Sequence, residues 1–346
     1  MSMPILYALL AASLFGASTP FAKALAGDIS PVLLAGLLYL GSGLGLTGVR
    51  LIRDGRWVES GLKAAEWPWL LGAIGFGGVL GPAALMFGLV HTTGAAASLL
   101  LNLEAVLTAA LAWLVFKENA DARVVLGMVV IVAGGVLLSW PTEEIGATPW
   151  LGSLAIAAAC LCWAIDNNLT RKVSASDALF IAGAKGLAAG TTNTALALLF
   201  GVPLPSLLAG ASAMLLGLLG YGVSLVLFVL ALRGLGSART GAYFSTAPFI
   251  GATIALFGFG EAANWTFWAA AGLMGIGVWL HLTEHHQHEH EHGLVEHSHG
   301  HEHDQHHQHD HVDGLNPRER HSHAHRHAPL THSHPHFPDI HHQHNH

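Results

Sequence analysis

Long apolar runs separated by short polar clusters recur along the first four fifths of the chain. Each has the length an α-helix needs to cross a bilayer core, about 20 residues for about 30 Å. Ten such runs are expected, at 3–26, 31–52, 67–90, 94–116, 122–140, 149–170, 178–200, 207–232, 238–259 and 264–282. The narrowest break is "HTTG" at 91–94, between the third and fourth runs. Past residue 283 the pattern changes: histidine alternates with small and acidic residues, and too few apolar side chains remain to build a core. The chain therefore divides into five helices over 3–140, five more over 149–283, and a tail, 284–346, expected to be disordered.

Composition strengthens this picture. Hydrophobic residues make up 52% of the chain and charged residues 11%, against about a quarter charged in soluble proteins, so the lipid bilayer is an expected partner. The net charge of −7 belongs to the tail, which also holds 24 of the 26 histidines, whereas residues 1–283 balance 12 Lys and Arg against 12 Asp and Glu. Lys and Arg are retained in cytoplasmic connections. Arg50, Arg53, Arg56, Lys63, Lys117, Arg123, Arg171, Lys172, Arg233 and Arg239 all fall in alternate connections, and only Lys23 lies near the other side. This places the N-terminus and tail in the cytoplasm of a multi-pass protein of the cell (inner) membrane. No basic region precedes the first run, which reads as a span and not a cleaved leader. Cys160 and Cys162, about 200° apart on a helix, are not placed to share a metal and read as packing residues.

The body is internally repeated. "GAAASLLLNLEAVLTAALAWLVFKE" (94–118) aligns without gaps on "SARTGAYFSTAPFIGATIALFGFGE" (237–261), and "FGASTPFAK" (15–23) on "WAIDNNLTR" (163–171), at offsets of 143 and 148. Five spans per copy, an odd number, forces the copies into opposite orientations, as in secondary transporters built of inverted repeats. The five-helix copies, the aromatic-plus-small signature in the first helix of each, and the small-rich helix ending in Glu118 and Glu261 resemble the EamA type of the drug/metabolite transporter superfamily. One departure is Ala105, where the second copy has Pro248 and the family often has proline. The resemblance implies a secondary carrier of small organic solutes, an amino acid among them, with a central cavity. It also implies that Phe15 and Trp163 face that cavity, with Ser18 and Thr19 following in the first helix and Tyr243 and Ser245 in the ninth.

Ionisable groups within the hydrocarbon layer are costly, which makes them informative. Glu104 is the deepest acid. It reads either as a proton-coupled or amine-binding carboxylate, or as a packing group that is protonated or paired with a base. Asp166 and Lys185, in the cytoplasmic third of adjacent antiparallel spans, are expected to pair, as a gate or as interfacial side chains reaching headgroups. Asn167, Asn168 and Thr170 make that helix end the most polar intramembrane stretch. Pro20, Pro82 and Pro248 would kink their spans. Gly41 with Gly45 and Gly77 with Gly81 have the spacing of close helix contacts, sliding or static. Glu118 and Glu261 end helices where a negative charge is unfavourable, so each should be held by a partner. His91 reads as a satisfied polar cap.

No phosphate-binding glycine loop, HExxH or Ser-His-Asp arrangement occurs. An enzyme is not expected, nor a required cofactor or a nucleic-acid partner. The tail is a different matter. His297, His299, His301, His303, His306, His307, His309 and His311 supply exchangeable imidazoles suited to Zn, Ni, Co or Cu. Beside the metabolite carrier, two readings stay open: a divalent-metal exporter fed by the tail, and a membrane-tethered metal buffer. The sequence leaves the oligomeric state open.

Overall fold

The computed structural model describes residues 3–56, 58–116, 122–140, 149–173 and 176–282, and in the tail 287–292, 295–301, 321–327 and 330–335. Among the described residues the body is entirely helical, in ten segments. These are α1 (Met3–Leu25), α2 (Pro31–Asp54), α3 (Ala64–Val90), α4 (Gly94–Leu100 and Leu103–Phe116), α5 (Ala122–Leu138), α6 (Pro149–Arg171), α7 (Ala178–Leu199), α8 (207–244), α9 (Ala247–Gly258) and α10 (Trp265–Leu282). Six are plainly long and apolar enough to span a membrane: Met3–Leu25, Pro31–Asp54, Ala64–Val90, Gly94–Val115, Trp150–Thr170 and Leu207–Ala231. The 22-residue α7 is as long, but Lys185, Thr191, Thr192, Asn193 and Thr194 dilute its apolar character.

One expected boundary moves. A loop was expected at 233–237 and a ninth span over 238–259, whereas the helical backbone runs on from Ser224 to Phe244 and breaks at Ser245–Thr246. Pro248 stands in the first turn of the next segment, where its missing amide costs no bond, while its ring excludes a helical hydrogen bond back to Phe244. In α4 the chain turns at Leu101–Asn102, within one residue of the position equivalent to that break by the 143-residue offset. A second matched feature lies in α3 and α8, which widen into π-helical turns at Ile74–Leu80 ("IGFGGVL") and Leu218–Val223 ("LLGYGV").

Helix packing follows the same correspondence. Helix α2 runs antiparallel along α7, with Gly36 against Thr194, Gly43 against Gly186 and Leu187, and Gly183 against Thr47. Helix α5 pairs with α10 through Gly134 against Ala270 and Gly277 against Gly127 and Ile131. Helix α1 packs on α8 and α9, as α6 packs on α3 and α4. Equivalent glycines meet equivalent partners: Gly77 abuts Asp166 and Gly220 abuts Ser18. Outward faces are apolar, with Ile52, Phe200 and Leu207 each more than 80% exposed, as a surface solvated by lipid requires. Trp67, Trp69, Trp140, Trp265 and Trp268 are exposed near helix ends, where indole suits the headgroup boundary.

The tail is a separate unit, His285–His346. Its described segments are four short strands. Strand β1 (Gln287–His292) pairs antiparallel with β4 (Leu330–Pro335), and β2 (Val295–His301) with β3 (His321–His327). The physical reason is periodicity: "HSHGH" and "HSHAH" alternate every second residue, as a strand does, so two such runs pair without conflict.

Candidate functional site

Polar side chains from both five-helix copies converge where α3, α4, α6 and α7 meet. Asp166 is buried on α6, and both its oxygens accept from Lys185 Nζ on α7 at 2.6 Å. Thr170, one turn on, donates to Asp166 Oδ1 at 2.8 Å and lies 3.4 Å from Lys185 Nζ. The pair expected from sequence is therefore formed. Asn167, next to Asp166, turns the other way and donates from Nδ2 to Glu104 Oε1 at 2.9 Å and to Thr108 Oγ1 at 3.5 Å. Glu104 thus meets a neutral amide, while Asp166 has the cation. Asn167 is solvent-exposed on its helix. An exposed amide bonded to a half-buried carboxylate within the hydrocarbon layer is tolerated where the two border a watery crevice.

An aromatic wall adjoins this cluster. The Tyr39 hydroxyl and Trp163 Nε1 both donate to Gly77 O at 3.0 Å. Gly77 lies in the π-helical turn of α3, where the displaced hydrogen-bond pattern leaves backbone acceptors for side chains. Asn193 donates to the neighbouring Gly78 and Val79 carbonyls at 3.4 and 3.3 Å. A side chain on Gly77 would overlap the Asp166 carboxylate; this glycine allows the close approach of α3 and α6. Across the copies, Phe15 of the first meets Tyr221 edge-on at 6.0 Å and Phe244 at 5.4 Å, both of the second, and Tyr221 lies 5.6 Å from Tyr39.

Of the residues expected at the site, Asp166, Lys185, Asn167, Glu104 and Trp163 come together, and Phe15 joins the wall through Tyr221. Ser18 is buried and returns its hydroxyl to Phe15 O at 2.6 Å, and Thr19 is buried beside it. Tyr243 and Ser245 stand half-buried at the α8–α9 break. Sequence reasoning missed Tyr39 and Tyr221. The signal was present, since only four tyrosines occur and a phenol in mid-span needs a hydrogen-bond partner. Gly77 as an acceptor had no such signal.

Two fastenings flank the site. Glu261 accepts from the Gly94 and Ala95 amides at 2.8 Å each, so the partner expected for it is the positively polarised start of α4. Nearby, Lys23 Nζ donates to Leu89 O. Glu118 lies outside the described residues. His91 Nδ1 is bonded to Phe87 O at 2.9 Å, as a polar cap. At the other end, Asp177 caps α7 by accepting from Leu179 N at 2.9 Å, and pairs with Arg50 at 2.9 Å and Arg53 at 3.0 Å. Burial pushes the Asp177 carboxyl up, but the two guanidinium groups and the Leu179 amide outweigh it and hold it below the usual carboxylate range. Of the tail histidines expected to bind metal, His297, His299 and His301 lie on β2; His303, His306, His307, His309 and His311 lie outside the described residues.

A bundle of apolar helices with a charged cluster straddling its two halves defines the class: a multi-pass membrane transport protein. The profile of the EamA-like transporter family matches residues 2–140 and 150–283, and the chain belongs to that family. An uncharacterized transporter of Methanothermobacter thermautotrophicus (strain ATCC 29096 / DSM 1053 / JCM 10044 / NBRC 100330 / Delta H) is 27% identical over 263 residues, covering 70% of this chain and 75% of its own. A protein crystal structure 20% identical in sequence superposes with a TM-score of 0.61 over 81% of this chain and 96% of its own, a likeness of fold.

Proposed function

We propose that the protein is a secondary carrier that moves a small organic metabolite, an amino acid among the candidates, by alternating access between two inverted five-helix halves. The observation that carries this reading is the polar cluster: Glu104 from the first half and Asp166 and Lys185 from the second, against a wall of Tyr39, Trp163, Phe15 and Tyr221. A concave aromatic surface with a few placed charges suits a small polar solute. The matched packing of α2 with α7 and of α5 with α10 supports the inverted arrangement, since rocking one half against the other needs such equivalent contacts. The Asp166–Lys185 pair is the gate, exchanged when the halves rock; Glu104, bonded to the neutral Asn167 amide, takes the coupling proton or a substrate amine. The protein sits in the cell inner membrane with both termini cytoplasmic, and its histidine tail binds divalent transition-metal ions.

The test is flux into proteoliposomes of purified protein across a set of amino acids, comparing the natural chain, Glu104→Gln, and a truncation after Glu284. Substrate movement lost in Glu104→Gln and kept in the truncation is the expected result. Movement lost on truncation alone, with Glu104→Gln silent, overturns it.

A further inference from the structure

Equivalent positions of the two five-helix copies are sealed to different degrees at the two ends of the bundle. Thr19, on α1, and Asn167, on α6, correspond by the 148-residue offset, yet Thr19 is 2% exposed and Asn167 lies open. Ala105, beside Glu104, is exposed as well. From mid-bundle to the end away from Met3, by contrast, Ser18, Ala95, Ser98 and Ala247 are buried. There α1, α4 and α9 close on one another: Gly16 rests on the Ala247 carbonyl, and Gly251 on Gly16 O and the Ser98 side chain. Toward the Met3 end the helices take separate neighbours, Leu103–Phe116 of α4 packing on α5 and α6, and Ser224–Phe244 of α8 on α1 and α10.

The closed end is fastened by a side chain that crosses between the copies. Glu261, from the second copy, accepts from Gly94 N through Oε1 and from Ala95 N through Oε2, each at 2.8 Å. Lys23 stands within electrostatic reach of the same carboxylate while donating to Leu89 O near the end of α3. Gly94, Ala95 and Lys23 all belong to the first copy, so they form a socket that the carboxylate fills. The socket has no slack: a Cβ on Gly94 would stand 3.0 Å from Glu261 Oε1, 3.4 Å from Pro20 Cα and 3.6 Å from Ala255 Cβ. We propose that this structure is the state open toward the Met3 end, and that Glu261 is the latch that holds the opposite end shut. That end opens when the carboxylate leaves the Gly94 and Ala95 amides, and water then solvates all three groups. Two amides bonded to a charged acceptor are held strongly. Removing the carboxylate leaves them unsatisfied in the closed arrangement alone, and an effect that differs between two states is what shifts their populations.

The latch rests on the alternating-access reading, and the experiment separates the two. Cys160→Ala and Cys162→Ala remove the native thiols, and one cysteine is returned by Ser98→Cys, at the closed end, or by Ala105→Cys, at the open one. The rate at which a water-soluble maleimide labels each full-length protein in detergent is measured alone, with Glu261→Ala, and with Gly94→Val, which keeps the carboxylate but fills its socket. With the latch intact the Ala105→Cys thiol is expected to label the faster of the two. In either latch variant the Ser98→Cys thiol is expected to label about tenfold faster, while the Ala105→Cys thiol labels no faster, since general loosening would speed both. An Ser98→Cys thiol that is the faster with the latch intact, or that gains nothing from Glu261→Ala or from Gly94→Val, overturns the latch and leaves the carrier standing, as does an Ala105→Cys thiol that speeds up with it. Flux into proteoliposomes is measured apart: a natural chain that moves no solute while Ser98→Cys still responds removes the carrier reading and leaves the latch.

Discussion

Asp166 and Lys185 are 9% and 17% exposed, and each is the other's charged partner. Removing one partner of such a pair leaves an uncompensated charge, at a cost of about 3–5 kcal/mol. Lys185→Ala is therefore expected to lower thermal stability in detergent and abolish flux, while the double exchange Asp166→Lys with Lys185→Asp recovers stability beyond either single change; a double variant no better than the singles removes the pairing argument. Asp177 provides a second test. Its carboxyl is held below the usual range, so its contribution to stability is fully present above the unfolded value of about 3.9 and is lost as the pH falls through the lower folded value. Melting temperatures should show an acid-side loss below about pH 4 that Asp177→Ala abolishes by having lost that stability already. The pairing of Asp166 with Lys185 was legible from sequence because both are rare charges in apolar runs at matched depth. The role of Gly77 was not, since a carbonyl displaced by a π-helical turn leaves no mark on the residue that carries it.

Elements report their sequence unevenly. Spans and their order are fixed by apolar length, and eight of the ten expected spans need shifts of no more than 3 residues at either end, within the usual softness of such limits. What length cannot show is where a helix breaks inside the bilayer. The turn at Leu101–Asn102 carries no proline and only its counterpart at Ser245–Thr246 has one nearby, in Pro248. Close approach likewise depends on which glycines face a neighbour. Gly43 sits directly on the backbone of Gly186 and Leu187, whereas Gly48 and Gly75 meet nothing within 4 Å. Gly43→Leu should separate α2 from α7 and cost about 1–3 kcal/mol or more by overpacking, with Gly48→Leu close to neutral; thermal unfolding of both variants decides it. At the start of α4, Glu261→Gln keeps the shape and loses the charge that faces two helix-terminal amides. About 1 kcal/mol of stability is expected to go with it, measurable as a lowered melting temperature.

At the scale of the molecule, apolar periodicity, low charge content and the duplicated segments determined from sequence alone that this is a multi-pass membrane body of repeated helices with a polar tail. Those features are one-dimensional: a bilayer imposes length, and a repeat imposes order. Tertiary structure decided the rest. It chose Asn167 and not a base as the partner of Glu104 and put Tyr39 and Trp163 on one carbonyl. It also set the tail histidines opposite one another across strands. Each of these depends on contacts between residues 20 to 86 positions apart, and such contacts are selected by packing and hydrogen-bond satisfaction among all the helices or strands at once, a condition no local stretch of sequence states.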